Sequence, residues 1–331
     1  MTRSRTAVLV VGAVVLVTAV LASLALGARS VDLSTVLDAV LRPDGAGGAE
    51  AVVRSRIPRT GAAILAGAAL AVAGTAMQGL TRNPLADPGL LGVNAGAALA
   101  VVVAIAALGV TELSGYVWFA FLGAGLAAVV VYGIASLGRE GATPVKLALA
   151  GAAVGAALSS LTQAVLIGRA DVFDAFRFWQ VGSVAGRGWD VLVEVLPFIV
   201  VGLLLTLALG PVLNGLALGE DVARGLGQRV ALTRVVTAVG IVLLCGAATA
   251  LAGPIAFVGL VVPHVVRGLA GPDYRWILPI SLLVGPALVL AADVVGRLVL
   301  PPGEVEAGVM VALVGAPGFV WLVRRRRTVT L

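Results

Sequence analysis

The chain has 331 residues, 60% of them hydrophobic and 12% charged, with a mean hydropathy of +1.08. A soluble domain carries about 25% charged residues, so these figures exclude a soluble globular enzyme. The apolar runs show no period-two alternation, which excludes a transmembrane β-barrel, and the formal charge of +6 reads as helix-orienting charge rather than as a nucleic-acid surface.

Apolar runs of about 20 residues, the length that crosses a hydrocarbon core as a helix, recur throughout. The pattern predicts an all-α polytopic membrane protein with one transmembrane domain over residues 1–331. Ten spans are expected, near 7–27, 58–80, 89–108, 116–137, 147–167, 190–210, 233–252, 254–270, 275–298 and 305–323. The first follows Arg3 and Arg5 and is longer than a ~7–15-residue signal core, so it reads as a retained span. The eighth is the weakest, short and carrying Pro263, His264 and Arg267.

Between the spans, "VDLSTVLDAVL" (31–41) has helical spacing after a possible cap, Asp32. Residues 170–189 are amphipathic, with Phe173, Phe176, Phe178, Trp179 and Trp189, and suit a short helix at the outer interface. Residues 212–229 form a long connection, and 324–331 a basic tail. An even span count puts both termini on one side. The cytoplasmic segments then collect Arg3, Arg5, Arg82, Arg139, Lys146, Arg224, Arg229, Arg234, Arg267, Arg275 and Arg324 to Arg327, as the positive-inside rule requires. Gly92/Gly96 and Gly151/Gly155 have the spacing of close helix contacts.

Several chemistries lack their residues. There is no P-loop frame around the single lysine, Lys146, and the lone His264 cannot supply a His-based metal site. No charged pair sits mid-span, which disfavours an ion-coupled secondary carrier, the main rival reading. No nucleophile, metal cluster or buried acid pair suggests a membrane enzyme, and the single Cys245 allows no internal disulfide.

The most informative interruption is "MQGLTRNPLADPGLLGVNAGAAL" (77–99). Pro84 and Pro88 stop helix at the residues before them, so one span ends near Arg82 and the next starts near Pro88, with Asp87 placed to cap it. Together with "RIPRT" (56–60), "FWQVGS" (178–183), "LGEDVARGLG" (218–227), "GPIAFVGLVVPHVVR" (253–267), "ADVVGR" (292–297) and "GAP" (315–317), this stretch resembles the FecCD family of ABC-transporter permeases along essentially the whole chain. These are the membrane subunits of importers of iron–siderophore complexes, haem or cobalamin.

The resemblance implies a ten-helix type II importer fold with an inverted repeat, spans 2–5 against 7–10, and no catalysis or resident cofactor in this chain. ATP and Mg would sit on a partner ATPase. The other implied partners are an extracytoplasmic binding protein, a second permease protomer, identical or paralogous, and a metal chelate, with siderophore favoured over haem or cobalamin. The implied location is the cytoplasmic membrane of a prokaryote.

It assigns ATPase coupling to Leu218, Gly219, Glu220, Asp221, Ala223, Arg224, Leu226 and Gly227, and docking of the binding protein to Arg56, Arg59 and Arg297. A cytoplasmic gate or elbow falls to Asn83, Pro84, Thr143 and Pro144, where Asn83 either gates the path or caps the turn. The chain departs from the family's "ELPVG" with "EVEAG" (304–308). Glu306 there either pairs with Arg297 or faces ligand.

Overall fold

The computed structural model describes residues 5–27, 29–41, 47–110, 113–138, 142–301 and 303–326. Arg3, Arg139 and Arg327, counted above among the cytoplasmic charges, lie outside the described residues. All regular elements among the described residues are helical. They are α1 (Arg5–Ala25), α2 (Leu33–Leu41), α3 (Gly48–Thr81), α4 (Val93–Leu108), α5 (Leu113–Ala135), α6 (Pro144–Gly168), α7 (Ala170–Gln180), α8 (Trp189–Ala208), α9 (Gly210–Ala217), α10 (Glu220–Gly225), α11 (Val230–Ala252), α12 (Val258–Ala270), α13 (Tyr274–Val299) and α14 (Ala307–Arg326). Seven are long and apolar enough to cross a membrane, and α4, α12 and α14 are shorter apolar helices. Together these ten match the ten expected runs.

The helices alternate in direction, so the bundle has two ends. One carries the 82–87 elbow and the 218–227 segment; the other carries Arg56, Arg59 and Arg297. The second span departs from expectation. It begins at Gly48 rather than near residue 58 and passes through Pro58. Proline removes one backbone donor, which a helix supported by neighbouring helices tolerates. Its 34 residues measure about 51 Å at 1.5 Å per residue, longer than a bilayer core of about 30 Å. The helix therefore exceeds the apolar slab by several turns, and its charged residues Arg54, Arg56 and Arg59 lie in its N-terminal part.

α3 is the hub of the core. Its apolar window is 83% buried, against 22% for α1, because α8, α11, α12 and α13 all pack on it. Small residues make the approaches possible. A side chain on Gly96 of α4 would strike the Gly123 carbonyl of α5, and the reverse holds for Gly123. Gly151 meets the Leu90 carbonyl, whereas Gly155 faces open space. Only one residue of that predicted pair is a packing contact.

Two helix breaks meet inside the bundle. After the exposed residues 82–85 the chain turns inward and is largely buried from Ala86 to Val93. It forms a short 3-10 turn, Pro88–Leu91, and a left-handed Gly92 before α4 starts. The third span is thus a turn plus a shorter helix. Its Pro88 lies in the contact shell of Gly259, at the start of α12. Thr249 Oγ1 of α11 lies 3.1 Å from Asn94 Oδ1 of α4, while Gln78 of α3 donates to the Gly259 carbonyl of α12. Each long central helix therefore seats the broken start of a shorter one from the other half, an arrangement suited to inverted repeats.

The predicted interfacial helix at 170–189 is α7 plus a loop. Phe176 and Trp179 are buried, while Phe173 and Trp189 are exposed, so part of its aromatic face is core rather than membrane interface.

Candidate functional site: two charged ends of a helical bundle

At the arginine end, α1 stops at Ala25 and leaves its last carbonyls without helical partners. Arg56 Nη1 donates to the carbonyls of Leu24 (2.8 Å) and Ala25 (3.0 Å), and its Nη2 donates to Arg29 O at 2.6 Å. Arg297 Nη1 donates to Ser23 O and Leu26 O, both at 3.0 Å, and its Nη2 to Ser23 Oγ at 3.1 Å. Two cations at a helix C-terminus also complement its dipole. Arg56 is 9% exposed and Arg297 5%. Arg56 and Arg297 are thus both engaged in capping α1.

Arg59 is differently placed. Its Nε and Nη2 clamp Asp293 at 2.7–3.1 Å, a two-pronged geometry that guanidinium and carboxylate match well. Asp293 also accepts Arg297 Nη2 at 3.0 Å. The remaining Arg59 nitrogen, Nη1, meets Glu304 Oε2 at 2.8 Å. Beside this network lies a cavity of about 290 Å³, lined by Ser55, Arg56, Arg59, Arg187, Arg297 and Glu304.

Arg187 was missed from the sequence. Its only signal was a single arginine between two glycines in "VGSVAGRGW" (181–189). It is buried, its Nε makes no hydrogen bond among the described residues, and burial pushes it down to about 10, partly offset by Glu306. Arg297 pairs with Asp293 rather than with Glu306, whose buried Oε2 makes no hydrogen bond among the described residues.

At the elbow end, Arg82 ends α3 in the left-handed region, φ 52°. Asn83 Oδ1 accepts the Leu85 N–H at 2.9 Å and its carbonyl accepts Ala86 N–H, so the amide caps the turn; Pro84, between them, is exposed. Asp87 accepts from Gly89 N at 2.8 Å, the expected cap. Thr143 Oγ1 accepts from Lys146 N at 3.3 Å and Pro144 opens α6. Thr143 and Pro144 thus form a helix start at the same end as Asn83.

The 212–229 connection is two short helices, with Gly219 at φ 111° between them. Glu220 gathers three arginines: Arg234 of α11, Arg224 of α10 at 3.3 Å and Arg82 of the elbow at 4.0 Å. Arg224 also reaches Asp221 at 3.2 Å. Ala223 is buried, while Leu218, Val222 and Leu226 stand out; the left-handed Gly227 turns the chain away. Asp273 ties the neighbouring elements together through Asn214 of α9 (2.6 Å), Arg5 of α1 and Arg275. Desolvation opposes its ionisation, but these partners prevail and hold it down to about 2.

A helical bundle with paired interior breaks, an arginine-lined cavity at one end and an apolar-tipped helix pair at the other defines a multi-pass membrane transport subunit. The FecCD transport family model matches residues 15–325, and the chain belongs to that family. It is 45% identical over 311 residues to the ferric enterobactin transport system permease protein FepD of Escherichia coli (strain K12), covering 94% of this chain and 93% of the relative. It is 42% identical to the iron(3+)-hydroxamate import system permease protein FhuB of Bacillus subtilis (strain 168), covering 97% of this chain and 83% of the relative. A solved structure described as an inward-facing conformation of a metal-chelate type ABC transporter superposes with a TM-score of 0.83 at 28% identity, covering 97% of this chain and 99% of that one. Members of this family are transport subunits of ABC importers, not enzymes.

Proposed function

We propose that this chain carries iron–siderophore complexes across the cytoplasmic membrane as one of two permease protomers, with both termini and the elbow end in the cytoplasm. The observation that carries the reading is the outward face of α6. Ser159, Ser160 and Gln163 are exposed on a helix otherwise apolar enough to span a membrane. Polar side chains at that depth are unfavourable against lipid, so this face suits a water-filled path closed by a second protomer. The relatives' cargoes, ferric enterobactin and iron(3+)-hydroxamate, support a ferric chelate as substrate.

The exposed Leu218, Val222 and Leu226 suit a groove on a partner ATPase, which supplies ATP and Mg. The cavity holding Arg59 suits an acidic group of an extracytoplasmic binding protein, complementary charge setting approach and register. The test is reconstitution with that ATPase and binding protein in proteoliposomes. Uptake of iron-labelled catecholate or hydroxamate chelates is expected only with internal ATP and the binding protein. Uptake driven by an ion gradient without ATP, or of haem or cobalamin with no ferric siderophore, refutes the proposal.

A further inference from the structure

Arg59 is held on two unequal sides. Asp293, which takes its Nε and Nη2, is 1% exposed and shared with Arg297. Glu304, which takes Nη1, is 33% exposed and lines the cavity. A carboxylate in contact with solvent is a weakly held partner, whereas withdrawing a buried one leaves charge uncompensated. Glu304 is thus the exchangeable ligand of Arg59. With Arg56 and Arg297 committed to α1, the guanidiniums left to the cavity are Arg59, through the Nη1 that Glu304 holds, and Arg187, which lines it.

We propose that Glu304 is a resident competitor: it occupies the Arg59 donor that an aspartate or glutamate of the binding protein takes on docking, with Arg187 as the second guanidinium for that carboxylate. The proposal rests on the docking reading above. The exchange is of ion-pair partners only. With Glu304 in place and no partner docked, Arg59 has an acid on each of its donors, which discriminates against stray anions, since displacement needs a carboxylate that the rest of an interface delivers. Glu304 also stands at the head of α14. The next residue, Val305, donates its N–H to the Gly296 carbonyl of α13 at 3.0 Å, and Gly308 donates to the Gly182 carbonyl at 2.9 Å. The displaced side chain therefore leaves from a segment whose backbone stays pinned.

The experiment measures equilibrium binding of the substrate-binding protein that supports uptake to the full permease–ATPase complex in lipid nanodiscs. Glu304→Gln keeps the side chain's shape and removes its charge; roughly two- to tenfold tighter binding is expected. Glu50→Gln removes an acid of the same outer segment that pairs with Arg54 and lies outside the cavity lining; no change is expected. Arg187→Gln is expected to weaken binding about fivefold or more. Unchanged or weaker binding by Glu304→Gln overturns the proposal, and so does an equal gain from Glu50→Gln, which makes the effect general electrostatics. If Glu304→Gln has no effect while Arg187→Gln weakens binding, the competitor idea falls and the docking reading stands. If neither variant changes binding, docking at this cavity falls as well. Thermal unfolding of each variant complex, unchanged from the parent, separates these effects from misfolding.

Discussion

Asp293 is the acid on which one half-buried and one buried arginine depend, Arg59 and Arg297, so its removal has a calculable consequence. Asp293→Leu leaves Arg59, 16% exposed, with Glu304 alone, and leaves the buried Arg297 without a carboxylate. Withdrawing one partner of a buried pair costs about 3–5 kcal/mol, and a carboxylate serving two guanidiniums belongs at the upper end. Arg59→Met costs less, about 1–3 kcal/mol, because Asp293 keeps Arg297. The double variant Arg59→Met/Asp293→Leu removes both charges and spares the Arg297 bonds to Ser23 and Leu26. It should therefore be less destabilised than the sum of the singles by roughly 2 kcal/mol or more. Denaturant unfolding of the purified permease in mixed micelles, followed by tryptophan emission, measures the cycle. Additivity within about 0.5 kcal/mol would show that Arg59 and Asp293 do not act as a unit and would refute the reasoning.

Two further outcomes follow from the elbow end. Leu218→Asp combined with Leu226→Asp places charge on two exposed apolar side chains. Co-purification with the partner ATPase should fall at least about tenfold, a loss of ~1.4 kcal/mol or more, while the unfolding midpoint of the isolated permease stays unchanged. Asn83→Ala removes the acceptor for Leu85 N–H, for a loss of about 1 kcal/mol. It should lower the midpoint slightly and leave binding-protein-stimulated ATP hydrolysis and uptake intact; loss of uptake with retained folding would instead assign Asn83 to the gate.

The sequence by itself determined the spans and their number, because hydropathy is a local property and a membrane helix is decided by a run of about 20 residues. It also determined the elbow. Pro84 and Pro88 disfavour helix at the residues before them, and Asp87 and Thr143 cap locally, within three residues of the N–H groups that donate to them. Pro58 is one counterexample, because the helices packed against α3 support it where the helix runs through. What the tertiary structure alone decided is which charge meets which. Arg59 and Asp293 are 234 residues apart in sequence, and nothing in either run says that they meet, whereas Asp293 and Arg297 are an i,i+4 pair on α13 that the sequence does carry. The same holds for Arg56, a surface arginine by its position before Pro58 and a helix cap by its contacts, and for Arg187, whose neighbours come from α3 and from the segment after α13. Partner choice among like-charged residues is set by the three-dimensional packing of α1, α3 and α13, and one-dimensional charge patterning carries no record of it.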